Sequence, residues 1–376
     1  MLKRPCLALL ALLAAALALA LLLIPPPSME PLALEYSLKI VLVNNGSRPM
    51  PLEPFLEVTI FPNRTGQRVR ILDAKWAANH ASSSVYELLQ DEEGNLRIKM
   101  SCAYDELAPG SRYELEVFMR VDLLPQEPPP LEITPEASLP LSYIPQGLRD
   151  ELCSRTSLWD FAHPLVRGLI EEVGPRDGSA LELVLSFIRW IDGNLAYPLE
   201  RSGAIAQYPN QTIIYLEGDC DDRANLFIAM CRAVGVPSFL QYGVVYEPGL
   251  NNEYVCAGGR YRYFGSGLSG HAWAMAYIPP WGWLPVDFTF FSGVGLQWRE
   301  GRALISTPDP LNHITGAAVR AGKVIVEGNV TSRDYVASTI NLFKMLEEYD
   351  AYLMHYEALR PWQLATKVNL IEGRPN

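Results

Sequence analysis

The stretch Gly218-Asp219-Cys220-Asp221-Asp222-Arg223-Ala224-Asn225-Leu226-Phe227-Ile228-Ala229-Met230-Cys231-Arg232-Ala233-Val234-Gly235-Val236-Pro237 decides the fold. Asp219 is suited to cap a helix, Asp222 follows three residues on, and Gly235 and Pro237 stop the run. Leu226, Phe227, Ile228, Met230 and Val234 make the helix apolar nearly all round, so it belongs inside a domain. Its first turn places Cys220 at the positive end of a buried helix, where the dipole favours thiolate, the nucleophilic form. Asp219, Asp221 and Asp222 oppose that effect by like-charge repulsion. Helix position alone therefore does not activate Cys220. A cationic partner is needed, and histidine is the usual one.

The chain has 5 histidines: His80, His163, His271, His313 and His355. His271 stands in Gly270-His271-Ala272-Trp273-Ala274-Met275-Ala276-Tyr277-Ile278, a strand pattern that Pro279-Pro280-Trp281-Gly282 turns back. Trp283-Leu284-Pro285-Val286-Asp287 reads as the returning strand. If 278 faces 282, position 287 lies opposite 273 and diagonal to 271, on the same face. Diagonal neighbours are about 7–8 Å apart, within reach of an imidazole and a carboxylate. A slip of one residue would put them on opposite faces. Cys220, His271 and Asp287 then form a triad: nucleophile, proton carrier, and the acid that orients and stabilises the imidazolium. The Cys220 backbone N–H can bind the developing oxyanion. Trp190, Gln207, Gln211 and Tyr215 are candidates for a second donor. Taken singly, Cys220 reads as a structural cysteine, His271 as a core histidine and Asp287 as a strand-end cap. Their order and spacing point to a site.

These residues carry a resemblance. Gly218-Asp219-Cys220, then Asp222-x-Ala224-x-Leu226-Phe227 and Arg232-Ala233-x-Gly235-Val236-Pro237, resembles the nucleophile helix of the transglutaminase-like superfamily. Gly270-His271-Ala272-Trp273 and Trp283-x-x-Val286-Asp287-x-Thr289 resemble its His and Asp strands. Phe187-Ile188-Arg189-Trp190-Ile191 with Tyr197 is similar to the preceding helix. The resemblance spans roughly residues 160–295 and departs at Phe288, where many members have proline. It implies a papain-like α+β core and attack on amide bonds through a thioester-type intermediate, as in protein transglutaminases, cysteine proteases and peptide N-glycanases.

Outside this core, residues 34–121 alternate with period two: Tyr36, Leu38, Ile40, Leu42; Leu96, Ile98, Met100; Tyr113, Leu115, Val117, Met119, Val121. Turn signals separate the runs, and an N-terminal antiparallel β-sandwich is expected. Pro125, Pro128, Pro129 and Pro130 mark a stiff linker. Helices are expected over 164–173 and 179–194. A third is expected over 332–359, where Leu342, Leu346, Tyr349, Leu353 and Tyr356 recur at spacings of four and three. The Gly-rich stretch 246–270 reads as a mobile loop before His271. Tyr261, Tyr263, Phe264, Trp281 and Trp283 are candidates for a peptide groove or for ordinary core. The expected division is 1–27 signal anchor or signal peptide, 28–124 β-sandwich, 125–159 linker and entry segment, 160–325 catalytic domain, and 326–376 C-terminal helical segment.

Residues 6–24 carry no polar side chain and follow Lys3-Arg4. As a helix they reach about 28 Å, close to the hydrocarbon core. Either a single-pass membrane anchor with an extracytoplasmic body or a cleaved signal of a secreted protein is expected. Asn45, Asn63, Asn210 and Asn329 stand in N-x-[ST] triplets, which carry little weight. The 376 residues include 31 Lys plus Arg against 42 Asp plus Glu, a net charge of −11 with no basic run, so nucleic acid is not an expected partner. Six cysteines are too few for a disulfide scaffold, and pairing among Cys102, Cys153, Cys231 and Cys256 stays open. No cofactor or catalytic metal is expected, because Asp219, Asp221 and Asp222 occupy adjacent helix positions that are not expected to converge. The expected partner is a protein or peptide substrate. Hydrolysis of a peptide or side-chain amide is the leading reading. Protein cross-linking, glycan release and a non-catalytic surface-binding role are the rivals.

Overall fold

The computed structural model describes residues 32–78, 81–124, 133–174, 178–198, 205–291, 295–299, 302–314, 323–331 and 333–362. The N-terminal alternation forms β1 (Leu32–Asn44), β2 (Met50–Pro51), β3 (Glu57–Ile60), β4 (Gln67–Ala78), β5 (Ala81–Ser83), β6 (Tyr86–Gln90), β7 (Leu96–Met100), β8 (Glu106–Leu107) and β9 (Arg112–Leu123). In β9 the buried positions are Tyr113, Leu115, Val117, Met119, Val121 and Leu123, every second residue, as one buried face requires. The small sheet β3-β7-β6 supplies Val58, Ile60, Ile98 and Met100 to the same core, which gives the expected sandwich.

Helices follow: α1 (Gln146–Leu152), α2 (Pro164–Val173), α3 (Ala180–Asn194), α4 (Pro209–Tyr215) and α5 (Cys220–Ala233). A capping box between Ser179 and Glu182 opens α3. The sheet resumes with β10 (Ser238–Cys256), β11 (Tyr261–Ile278) and β12 (Gly282–Val286). Then come β13 (Gly295–Arg299), β14 (Arg302–Ser306), β15 (Val324–Thr331), α6 (Tyr335–Glu348) and β16 (Ala351–Pro361). The fold is α+β. Helix α5 lies in a core built from α3, β10, β11 and β12, with Leu226, Phe227, Ile228 and Met230 fully buried.

Several expectations change here. The helix expected over 332–359 ends at Glu348, and Asp350 takes a left-handed conformation at φ 49°. The chain then runs as β16, whose Ala351, Leu353 and Leu359 are buried and whose neighbour Tyr352 is exposed. The spacing of four and three thus straddled a helix and a strand. The expected domain boundary also gives way. β16 pairs antiparallel with β1, from Leu34↔Pro361 to Asn44↔Ala351, and parallel with β11, from Tyr261↔Leu353 to Ser266↔Ala358. One nine-stranded sheet, in the order β15-β10-β11-β16-β1-β9-β4-β5 with β12 on β11, joins the sandwich to the core that carries Cys220. Pairing in this way removes two open strand edges. The half-buried carboxylate of Glu357 ties the junction together, accepting from Tyr36 of β1 at 2.7 Å and Tyr263 of β11 at 2.8 Å. The linker expected up to 159 ends inside the core, where Leu158 and Trp159 are fully buried.

The stretch 246–270 is a β-ribbon rather than a loop. Asn251–Cys256 pairs with Tyr261–Ser266, and the register shifts between Tyr246 and Asn251. Its glycines serve the turn at Gly258 and Gly259 and the bend at Gly267, all with positive φ. The apolar run 6–24, His80 and the prolines at 125–130 lie outside the described residues. Among the described residues no helix is long and apolar enough to cross a membrane. Among them, too, no disulfide joins Cys102, Cys153, Cys220, Cys231 or Cys256.

Gly267 adopts φ +72°, and a Cβ there would run into the carbonyl of Leu359 in β16. Gly267→Ala is expected to destabilise the chain by about 2–3 kcal/mol, through backbone strain and a displaced β16. Denaturant unfolding checks this; an unchanged midpoint would contradict it.

Candidate active site

Helix α5 begins at the expected place. Asp219 caps it in an extended conformation, and Asp222 closes the capping box by accepting from the Asp219 N–H at 3.3 Å. Gln207 supports the same turn. Its backbone N–H and its Nε2 donate to the two oxygens of Asp222 at 2.6 and 2.7 Å. Fully buried Arg223 donates Nε to the Gly218 carbonyl at 3.0 Å and Nη2 to the Leu195 carbonyl at 2.8 Å. The segments they belong to run side by side, with Ala196 N–H on Leu216 O at 2.9 Å and Gly218 N–H on Ala196 O at 3.1 Å. That short bridge sets Tyr197 beside the start of α5, with the Arg223 guanidinium 5.4 Å from its ring centroid.

Cys220 is half-buried and packs against the core. The backbone N–H of Ala272, the residue after His271, acts on its sulfur electrostatically. Burial pushes the thiol well above its ordinary value, and Asp221 and Asp219 push the same way. The Ala272 N–H opposes them without prevailing. Asp221 is itself raised by burial, although it shares a hydrogen bond with Asp219 and accepts from Tyr335 Oη at 3.0 Å. One ligand atom each from Asp219, Cys220 and Asp221 lies within 4.8 Å of the others. The expectation that these neighbours do not converge therefore fails for 219 and 221, because Asp219 is not helical and folds back over the first turn.

The hairpin takes the register the sequence permits. Ala274 pairs with Val286 and Ile278 with Gly282. His271 Nε2 and Asp287 Oδ2 are 2.7 Å apart, and both residues are buried. The N–H groups of Thr289 and Phe290 donate to the other oxygen, Oδ1, at 2.8 and 3.0 Å. A carboxylate only accepts, so in a neutral imidazole the hydrogen sits on Nε2 and Nδ1 keeps a lone pair. Trp273 stacks on the ring at 5.6 Å and Phe290 meets it edge-on at 4.7 Å, which fixes its plane.

A cavity of about 500 Å³ opens beside Cys220, lined also by Tyr197, Tyr261, Tyr263, Phe343 and Glu357. Burial alone would raise Glu357, but hydrogen bonds from His355, Tyr36 and Tyr263 hold its carboxyl below the usual range. Of the proposed groove aromatics, Tyr261 and Tyr263 line this cavity. Phe264 lies instead on Tyr356 in a separate depression, and Trp283 packs on Phe239 and Tyr277. None of Trp190, Gln207, Gln211 and Tyr215 lines the cavity. Gln207 is occupied by Asp222, Gln211 accepts from the Tyr208 N–H, and Tyr215 is exposed. Tyr197 does line the cavity with Cys220, and its phenol interacts electrostatically with Cys220. The sequence offered Tyr197 only as part of a motif, without a role.

Residues 167–288 match the family model described as the transglutaminase-like superfamily. A search of curated proteins finds no match. Among solved structures, the chain is similar to a provisionally assigned cysteine protease from Cytophaga hutchinsonii (TM-score 0.44, 16% identity, 87% of this chain and 90% of that one). It is also similar to a provisionally assigned protease from Parabacteroides distasonis (TM-score 0.24, 11% identity, 80% and 68%). A third is a protein described as a TGase (TM-score 0.23, 13% identity, 58% and 47%).

Burial, reinforced by Asp219, raises the Asp222 carboxyl from 3.8 to about 6 despite the hydrogen bonds it accepts. Its folded-state affinity for a proton exceeds the unfolded one. The associated stability is therefore present below pH 3.8 and lost as pH rises through about 6. The melting temperature of the unaltered chain minus that of Asp222→Asn is expected to fall across this window. A difference independent of pH would contradict it.

Proposed function

With residues 167–288 forming a transglutaminase-like domain, we propose that the chain is a thiol-dependent acyl-transfer enzyme that hydrolyses peptide or side-chain amides. The observation that carries this reading is the His271–Asp287 bond at 2.7 Å between buried partners, with Cys220 at the start of α5 on the edge of a cavity. In the proposed reaction His271 Nδ1 takes the thiol proton as Cys220 sulfur bonds to the amide carbon. Asp287 stabilises the imidazolium that results. The carbonyl electron pair moves onto oxygen, held by the Cys220 N–H and the Tyr197 phenol. Collapse expels the amine, which leaves with the proton from His271, and a thioester remains on Cys220. Water, deprotonated by His271, attacks the thioester and releases the carboxylic acid and the thiol.

One observation favours a non-catalytic role: burial and two carboxylates disfavour a free Cys220 thiolate. Concerted proton transfer answers it. The resting thiol stays protonated, and the ion pair forms only as sulfur attacks, beside an imidazole that Asp287 has already oriented. An amine in place of water would give cross-linking, so the acceptor must be tested together with the acyl step.

The test is incubation with unfolded casein, with and without a fluorescent primary amine. New carboxyl groups are expected, without incorporation of the amine, and Cys220→Ala is expected to lower the rate by about 10³-fold or more. Equal rates in Cys220→Ala would contradict a thiol mechanism, and incorporation of the amine would replace hydrolysis with cross-linking.

A further inference from the structure

Asp287 is gripped from behind by a residue that the reaction above does not use. His313 closes a single helical turn, Pro310–His313, and is fully buried. Its Nδ1 lies 2.7 Å from the Asp287 carbonyl oxygen, and its own carbonyl accepts the Asp287 N–H at 2.8 Å. The two residues thus exchange a reciprocal pair of hydrogen bonds. On the far side of the ring, Nε2 lies 2.8 Å from Asp192 Oδ2, on α3. Asp192 is buried too, and the Thr307 N–H reaches the same oxygen at 3.4 Å. Phe291 and Phe288 cover the imidazole with centroids at 4.0 and 5.4 Å.

Donor and acceptor chemistry fixes the pattern. The Asp287 carbonyl can only accept, so Nδ1 carries a hydrogen. A second hydrogen must lie between Nε2 and Asp192 for that contact to be a bond. Buried groups of this kind are costly unless fully satisfied, and here both sides of the ring are. Arg223 interacts with Asp192 and also grips the carbonyl of Gly218 just ahead of Cys220. Hydrogen bonds therefore run from Asp192 on α3 through His313 to Asp287 and His271, and the charge of Arg223 acts on Asp192 from a distance.

We propose that Asp192 and His313 are positioning residues for the Asp287–His271 pair. This rests on the reading of Cys220, His271 and Asp287 as the reacting set. His313 holds the Asp287 backbone from both its N–H and its C=O. Thr289 and Phe290 hold Oδ1, and only Oδ2 remains to set the imidazole. Displacing that backbone rotates Oδ2 away from Nε2 and leaves Nδ1 misaligned for the thiol proton, while the cavity that receives the substrate is untouched. The effect belongs in the acylation step and not in binding.

The test is the burst of p-nitrophenolate released from p-nitrophenyl acetate as Cys220 is acylated, in the full chain and three variants. Asp192→Leu and His313→Phe are expected to lower the acylation rate constant by about 10- to 100-fold, with the ester concentration that half-saturates the burst rate unchanged. Asp192→Asn restores most of what Asp192→Leu loses, because its amide N–H can donate to Nε2 and keep the hydrogen of Nδ1 on Asp287. The Asp192 pair keeps the question open to refutation even if His313→Phe fails to fold. A folded Asp192→Leu acylated at the unaltered rate would overturn the proposal, as would an Asp192→Asn as slow as Asp192→Leu. An unaltered chain that gives no Cys220 acylation would instead remove the thiol-enzyme reading, and this proposal with it.

Discussion

The register of the β11–β12 hairpin is the constraint on which the site depends. Ile278 opposite Gly282 brings Asp287 onto the face of His271, and a 2.7 Å bond forms between buried partners. A shift of one residue would reverse the face of every side chain in β12 and leave a carboxylate buried without its partner. The rest of the sheet holds that register. β10 flanks β11 along the His271 segment, β16 flanks its first half, and β1 carries the pairing on into the sandwich. The N-terminal sandwich therefore buttresses the strand that carries the histidine.

Electrostatics at Cys220 run against the simplest account of an activated thiol. The helix start favours a negative charge by about 0.3–1 kcal/mol when exposed and somewhat more when partly buried. Burial together with Asp221 and Asp219 outweighs it. Burial and the two carboxylates favour a protonated resting thiol, and the bond to Asp287 sets the tautomer of a neutral His271 imidazole. Nucleophilicity would then arise as the proton moves. The carboxylates also hold the structure together, since Asp222 receives Gln207 and Asp221 receives Tyr335.

The parts of the fold that the sequence made legible are those where one local rule dominates. Capping residues and an apolar surface located α5 to within a residue, and strict alternation located β9. The even register of a tight hairpin placed Asp287 near His271. The illegible parts depend on distant pairing. Residues 351–361 satisfy a helical spacing as readily as a strand, and only the open edges of β1 and β11 decide between them. The ribbon 246–270 looked like a loop because its glycines mark one turn and one bend, while the pairing between them is set by β10 lying opposite β11. Tyr197 and His313 carried no spacing signal of their own. Each is brought to the site by a short backbone bridge formed after folding, at Ala196 with Glu217 and at Asp287 with His313.

The most direct measurement of the central claim is the rate of Cys220 alkylation by iodoacetamide against pH, in the unaltered chain and in His271→Ala. The account expects modification well below pH 8.5, the range of a free thiol, carried by an imidazole that assists loss of the proton, and expects that component to vanish in His271→Ala. A rate that rises only with the free thiolate, and is the same in both proteins, would contradict it and show that the imidazole does not serve the sulfur.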